Sequence, residues 1–265
     1  MTTFNLPGTP SDDAERVLAL GGSVADLVYV SMSARHPDGR DVDYLRWHFF
    51  DHRPEQYRLE TIRGSLRLVS TPACRAARAA SDERFDATDH VMNYFFSDPS
   101  GLKPFHDLGR ELGRVGRIPE LLPPVERGVY AFDGRAAAPD AKVGADVLPW
   151  WPAVGVYLLI EHGTASAAPL VDVDGVAGAW WAPTALDVPE QYSLAQPGDQ
   201  LTYLFLDDDP VAVAGRLRPV VEQRWTDAGA TGLFAAPFHV AHADDLARHL
   251  PRTGACATGC ATMNA

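Results

Sequence analysis

The sequence predicts an α+β fold in which two tandem βαββαβ repeats pack sheet to sheet. Three observations predict it. Tyr94-Phe95-Phe96-Ser97-Asp98-Pro99 leads into an amphipathic helix and then a strand, and Tyr203-Leu204-Phe205-Leu206-Asp207 with Pro210 does the same in the second half. Runs with strand-like and helix-like spacing recur in one order in both halves. The segment Asp43-Tyr44-Leu45-Arg46-Trp47-His48-Phe49-Phe50-Asp51-His52-Arg53-Pro54 occurs once only, so the halves are alike in scaffold and unlike in chemistry.

In order along the chain, residues 1–22 are polar around a short helical stretch, Asp12 to Leu20, and form an N-terminal arm. The first repeat spans 23–133. Ala25 to Ser33 is rich in β-formers, Asp41 to Pro54 has helical spacing, and Gly64 to Ser70 and His90 to Phe96 are strands. Leu102 to Val115 is a helix with Leu102, Phe105, Leu108, Leu112 and Val115 on one side, Ser100 placed to cap it and Gly116 at its end. Gly128 to Phe132 completes the unit. Residues 134–150 are rich in Ala, Asp and Gly, carry no periodicity and read as a linker.

The second repeat, 151–243, is degenerate. Its strands are Val154 to Glu161, Val176 to Ala182, Gln200 to Leu206 and Leu233 to Val240. Its long helix runs Pro210 to Trp225, with Asp209 as N-cap, Pro210 at the first helical position and Gly229 past the end. Its first helix has shrunk to the Ala165 to Val171 region. Residues 244–265 are a C-terminal tail.

Each such repeat covers one face of its sheet with helices and leaves the other bare, and two repeats solve this by packing bare faces together. Strand alternation assigns Val28, Val30 and Met32 to the helices and Leu27, Tyr29, Ser31 and Ser33 to the partner sheet. Aligning Gly64 with Gly178 and Tyr94 with Tyr203 then encloses Tyr29, Arg67, Asn93, Tyr157, Glu161, Trp181 and Thr202. That set is polar enough to suggest a ligand cavity between the sheets. A register slip of one residue would invert it.

Composition bounds the function. At 265 residues, 46% hydrophobic and 22% charged, the chain is globular in composition. A net charge of −12 without a basic run argues against a nucleic-acid partner. The first residues lack the basic and apolar stretches of a signal peptide, and Val154 to Ile160 is too short to span a bilayer, so the expected location is cytoplasmic, away from membranes. Three cysteines do not make a disulfide framework, and Cys256-x-x-x-Cys260 lacks the second ligand pair of a metal site.

The pattern Tyr44-Leu45-x-Trp47-x-x-x-x-His52-x-Pro54, following a strand and opening a βαββαβ unit, resembles the first helix of EthD-like proteins of the dimeric α/β-barrel (ferredoxin-like) superfamily. There an aromatic–Trp pair and a His-x-Pro end that helix. The resemblance covers the first repeat well and the second only as scaffold, since no Trp/His pair recurs there. It implies an intramolecular version of the barrel that relatives form by dimerisation, so a homodimer is possible but not required. It also implies a small hydrophobic ligand, since relatives include polyketide cyclases, cofactor-free monooxygenases, aromatic-polyketide decarboxylases or dehydratases, and haem-binding branches.

The resemblance carries over His52, whose imidazole can move a proton near neutral pH. Tyr29, Arg67 or Asn93 can polarise a carbonyl or hold a developing enolate. Trp47, Asn93, Tyr157, Glu161, Trp181 and Thr202 are expected to bind substrate. His52 near a helix end is equally suited to capping it. His48 and His52 have zinc-like spacing, but no third ligand follows at helical distance, and no metal is expected. Haem is the minor alternative, with His106, His162, His239 and His242 as spare histidines. The expected function is a cofactor-independent lyase, cyclase or isomerase acting on a small hydrophobic metabolite by acid/base chemistry. A non-catalytic binding protein and a haem enzyme are the alternatives.

Overall fold

The computed structural model describes residues 25–250, apart from 142 and 164–165. The predicted arm, with its helix at Asp12–Leu20, and the tail bearing Cys256 and Cys260 lie outside the described residues. Its strands are β1 (Leu27–Ser33), β2 (Ile62–Val69), β3 (Ala80–Ser81), β4 (His90–Phe96), β5 (Pro124–Ala131), β6 (Gly134–Ala137), β7 (Gly155–His162), β8 (Val176–Pro183), β9 (Asp199–Leu206) and β10 (Thr231–Val240). The helices are α1 (Asp41–Trp47), which runs through a π-helical turn (His48–His52) into α2 (Arg53–Gln56), then α3 (Pro72–Ala76), α4 (Leu102–Arg114) and α5 (Pro210–Ala228).

One antiparallel sheet takes all ten strands, in the order β5-β1-β4-β2-β10-β7-β9-β8-β6, with β3 beside β10. The strands β5-β1-β4-β2 and β10-β7-β9-β8 thus repeat one order in the two halves. The halves join where Leu68 and Val69 of β2 pair with Val240 and His239 of β10. At the far edges Tyr130 of β5 bridges Thr184, just past β8, and the Ala185 N–H donates to the Val129 carbonyl at 3.0 Å. The sheet therefore closes on itself within one chain.

Closing an antiparallel sheet into a small barrel leaves an interior that side chains can fill. Here they do. Val28, Val30 and Met32 point inward with Phe95, Tyr203 and Phe238 of both halves, and Phe85, from the loop after β3, joins them. Burying each large apolar side chain there contributes roughly 1.5–3 kcal/mol. Arg84, next to Phe85, donates to Glu126 at 2.7 Å and to Asp199 at 2.9 Å and so ties the first strands' end to the second half.

This corrects the predicted facing. Tyr29 sits on the helix side with Met92, Tyr94 and Phe105, and Tyr157 lies under α5 with Leu159, Leu204 and Leu217. On β1 the Val and Met positions face the barrel, whose space is filled by rings such as Phe95, Tyr203 and Phe238, and the Tyr position meets the helices. The repeat alignment also slips at one point. Gly64 and Gly178 do correspond, each following a bulge opposite Phe95 and Phe205. Leu27 and Gly155 both pair with the last residues, Phe96 and Leu206, which makes Leu204 rather than Tyr203 the counterpart of Tyr94. Tyr203 corresponds to Asn93, and one-residue offsets invert faces.

Four local expectations change. Residues 134–150 are not structureless, because β6 pairs with β8 and Ala145–Trp150 forms a 3₁₀ turn. Ser100 does not cap α4; the Asp98 carboxylate accepts from the Ser100 N–H at 2.9 Å and starts a 3₁₀ turn ahead of the helix. Pro54 does not end the first helix, which continues to Gln56. The second half's counterpart of that helix is a 3₁₀ turn, Ala168–Asp172. The α5 signals act as read: the Asp209 carboxylate accepts from the Val211 and Ala212 N–H groups at 3.0 Å, and Gly229 takes a left-handed φ of 63°. No helix among the described residues is long and apolar enough to cross a membrane.

Candidate functional site

Proline at position 54 shapes the site. It has no N–H, and its ring crowds the carbonyl four residues back, that of Phe50. The backbone upstream widens into the π-helical turn His48–His52, closed by the Arg53 N–H on the His48 carbonyl. Such insertions recur at functional sites because they re-aim side chains that a regular helix would spread around its surface. In this one Trp47, His48 and His52 share a side: Trp47 and His52 rings stack at 4.7 Å, and His48 and His52 lie 6.0 Å apart.

That side and the helix-facing surface of β1 and β4 bound a cavity of ≈ 300 Å³. Tyr29, Tyr44, Trp47, His48, His52 and Tyr94 form one wall, and α4 contributes Phe105 and His106. Ile118 and Leu121, from the segment after α4, close it. This strap is fastened to the helices opposite. Trp47 donates its indole N–H to the Arg117 carbonyl at 2.8 Å, and the Arg117 guanidinium holds Glu55 at 2.9 Å and Asp51 at 3.1 Å.

The polar groups are arranged in pairs. His48, 1% exposed, shares a 3.1 Å hydrogen bond between its Nε2 and the Tyr94 hydroxyl. Gln56 donates its amide N–H to His52 Nε2 at 3.0 Å. Nδ1 of His48 and Nδ1 of His52 have no partner among the described residues. Burial is the main force on both imidazoles. It holds His48 well below the ordinary histidine range, with the Arg67 charge adding to the effect. It brings His52 to about 4 against the opposing pull of Asp51. Both rings are neutral at pH 7. Burial likewise pushes the Tyr29 and Tyr94 phenols upward, so both stay protonated.

The predicted site residues separate into three places. His52, Tyr29 and Trp47 line the cavity, and Arg67 reaches its wall through Tyr44, to whose hydroxyl it donates at 3.1 Å. Asn93 is inside the barrel, where it donates to the Leu66 carbonyl at 2.8 Å and accepts from the Tyr203 hydroxyl at 2.7 Å. Tyr157 and Thr202 are buried on the helix side of the second half. Trp181 packs against that same layer, and Glu161 is held by Arg224 at 3.0 Å and by the Trp225 indole at 2.7 Å. These last four do not meet the cavity. His90, apart from all of them, donates to Asp41 at 2.7 Å in a fully buried pair.

His48, Tyr44 and Tyr94 were missed as site residues. The i, i+4 spacing of His48 and His52 was the available signal, and it suggested zinc because the π-helical turn is not visible in spacing alone. Among the described residues the metal-compatible grouping is instead His36, Asp38 and Glu120 at the rim, where Glu120 already pairs with Arg40.

Fold and site together define an α+β barrel protein with a cavity of ≈ 300 Å³ beneath a π-helical turn. No family model matches the chain, and no curated protein does either. Among solved structures, an anthrone oxidase-like protein is similar at 9% identity over 83% of this chain and 92% of that one, with a TM-score of 0.45. A candidate chlorite dismutase is similar at 10% identity over 85% and 100%, with a TM-score of 0.49. A candidate monooxygenase from Fusobacterium nucleatum subsp. nucleatum is similar at 10% identity over 82% and 93%, with a TM-score of 0.43. Likenesses this distant carry neither residues nor reactions over to this chain.

Proposed function

We propose that the protein is a cofactor-independent enzyme that moves a proton on a small hydrophobic, aromatic metabolite in the first-half cavity, as a lyase, cyclase or isomerase does. The observation that carries this is the wall on which two neutral imidazoles, His48 and His52, stand beside the phenols of Tyr29, Tyr44 and Tyr94. A cavity meant only to hold an apolar molecule gains nothing from five such groups on its wall, three of them, Tyr29, His48 and Tyr94, buried. The Gln56 amide turns off His52 Nε2 as the ligand enters, and the freed lone pair takes a proton from the carbon next to a ligand carbonyl. A phenol holds the oxygen as charge develops, and the imidazolium returns the proton elsewhere on the ligand or to a departing hydroxyl.

Several finer readings belong to the same proposal. The identical strand order in the halves supports tandem ferredoxin-like repeats of EthD-like kind. Haem fits poorly: ≈ 300 Å³ is tight for a tetrapyrrole, and both Nε2 atoms are engaged by Tyr94 and Gln56. A small-molecule partner and a cytoplasmic setting accord with the buried free thiol of Cys74.

The test is exchange of the α-protons of 2-tetralone in D₂O, followed by proton NMR. Exchange well above the buffer rate is expected, with a loss of roughly 10²-fold or more in His52→Gln. Saturable binding without exchange would make the protein a non-catalytic carrier.

A further inference from the structure

The chain carries an excess of acidic residues, 35 against 23 Lys and Arg, yet it leaves cations without acids behind the cavity wall. Arg67 is 2% exposed, and no carboxylate among the described residues lies within ion-pair distance of it. Its contacts are the Tyr44 hydroxyl, at 3.1 Å, and the Tyr44 ring face, 5.1 Å from the guanidinium carbon; its Nε has no partner. Arg53 lies over the Phe49 ring at 4.2 Å, also without an acid. Arginine does not give up its proton to escape this cost. Burial of an uncompensated cation is expensive and, as a rule, avoided unless something else supplies the opposite charge.

The nearby carboxylates are already committed. Asp51 and Glu55 are held by Arg117, Asp107 by Lys103 and Arg110, Glu120 by Arg40, and Asp41 by His90. The cavity wall carries one charged side chain, the exposed Arg110, which is paired with Asp107; the rest of the wall is neutral. The positive charge of Arg67 is felt there, since it opposes protonation of both His48 and His52. Because Arg67 donates to the Tyr44 oxygen, the Tyr44 hydroxyl proton is directed elsewhere, and Tyr44 lines the cavity.

We propose that the cavity takes an aromatic ligand bearing an acidic oxygen, a carboxylate or an ionised phenol or enol, which accepts the Tyr44 hydroxyl proton while Arg67 supplies the buried countercharge. This rests on the cavity being the ligand site. It also explains how weakly basic imidazoles serve there, because an anion beside them draws their basicity back toward neutrality.

Calorimetric titration of the full chain with 2-naphthoate and with its neutral counterpart 2-naphthamide tests the proposal. An anion one hydroxyl away from a guanidinium, in a medium of intermediate dielectric, gains on the order of tenfold to a hundredfold in affinity. The naphthoate should therefore bind at least about tenfold tighter, and the preference should vanish in Arg67→Met. Tyr44→Phe, which keeps the ring, should lose part of it and carries the test if Arg67→Met does not fold. 4-Nitrophenol, whose visible absorbance reports its ionised form, covers the phenolate arm: bound probe should ionise about one pH unit lower in wild type than in Arg67→Met. Equal binding of acid and amide with an unshifted nitrophenol, or a preference that survives in both variants, overturns the proposal and leaves the cavity reading standing. Failure of all three probes to bind overturns the cavity reading and this inference together.

Discussion

His48 Nε2 and the Tyr94 hydroxyl lie 3.1 Å apart with both side chains buried, so one hydrogen bond joins the π-helical turn to the centre of β4. Among the described residues Nδ1 of His48 has no partner, and this is the ring's one hydrogen bond to the sheet. Tyr94→Phe keeps the ring's edge-on contact with Phe105, at 4.8 Å, while removing the hydroxyl. The buried imidazole is then left unsatisfied at both nitrogens, which costs roughly 1–3 kcal/mol. A lower urea midpoint with an unchanged m-value is the expected reading; an unchanged midpoint would show that the bond holds nothing in place.

The scaffold was legible in the sequence because its signals are local. Strand His90–Phe96 was read to the residue, and Asp209-Pro210 with Gly229 bracketed α5, since caps and turns are decided by neighbouring groups. The facing of the strands was not legible. Val28 and Tyr29 alternate cleanly, but alternation does not say which face meets helices and which closes a barrel. The pairing of Tyr94 with Tyr203, attractive by residue type, put Asn93 and Thr202 on one face, whereas Asn93 meets Tyr203 inside the barrel and Thr202 lies opposite Leu159 on the helix side. The site was legible in the first half, in the single-copy segment and on β1, which is why His52, Trp47 and Tyr29 reach the cavity and Tyr157, Glu161, Trp181 and Thr202 do not.

Acid should destabilise the fold over a defined window. Burial holds His52, His90 and His249 near 4 and depresses His48, His106 and His239 as well, whereas the unfolded chain binds these protons near the ordinary 6.5. The unfolded state therefore carries more protons between those values, and stability present above about pH 6.5 is lost as the pH falls toward 4. For the fully buried His90 alone the loss is on the order of 3 kcal/mol. For Asp41, burial works upward, but the His90 N–H overrides it and holds the carboxyl low, so it adds a further loss at more acidic pH. Thermal midpoints measured from pH 7.5 to 4 should hold at the top of this range and fall below about pH 6.5, and a flat profile would contradict the buried neutral histidines.

Arg84 is the counterpart of Arg67, a cation with its acids in place. It lies between Glu126 and the nearly inaccessible Asp199, and the partly exposed His162 also approaches Asp199 at 3.1 Å. Arg84→Met removes the shared cation and leaves two poorly solvated carboxylates, a change that costs roughly 3–5 kcal/mol. Because the penalty is charge on those carboxylates, adding Glu126→Gln and Asp199→Asn to Arg84→Met should recover most of the loss. Chemical denaturation at pH 7 of the single and triple variants measures both quantities. A loss that persists in the triple variant would mean that Arg84 acts through its packing on Phe85 instead.

Pro54 separates the architecture of the site from its stability. Replacing it by Ala restores an N–H able to reach the Phe50 carbonyl, and a regular α-helix then competes with the wider turn. Loss of the extra residue in that turn rotates His48 away from Tyr94 and breaks the stack of Trp47 on His52, now at 4.7 Å. Helix propensity favours the replacement, so stability should hold or rise even as the His48 anchor is lost. Proton exchange on 2-tetralone should nevertheless drop by about tenfold or more, since misplacing a catalytic group by about an ångström is enough for such a loss. Amide chemical shifts across 47–53 report the backbone change directly. If they move while exchange persists, the π-helical turn is incidental to function; if neither changes, the strap contacts of Trp47 and Arg117 are what hold the turn open, and the double variant Pro54→Ala, Trp47→Phe should release it.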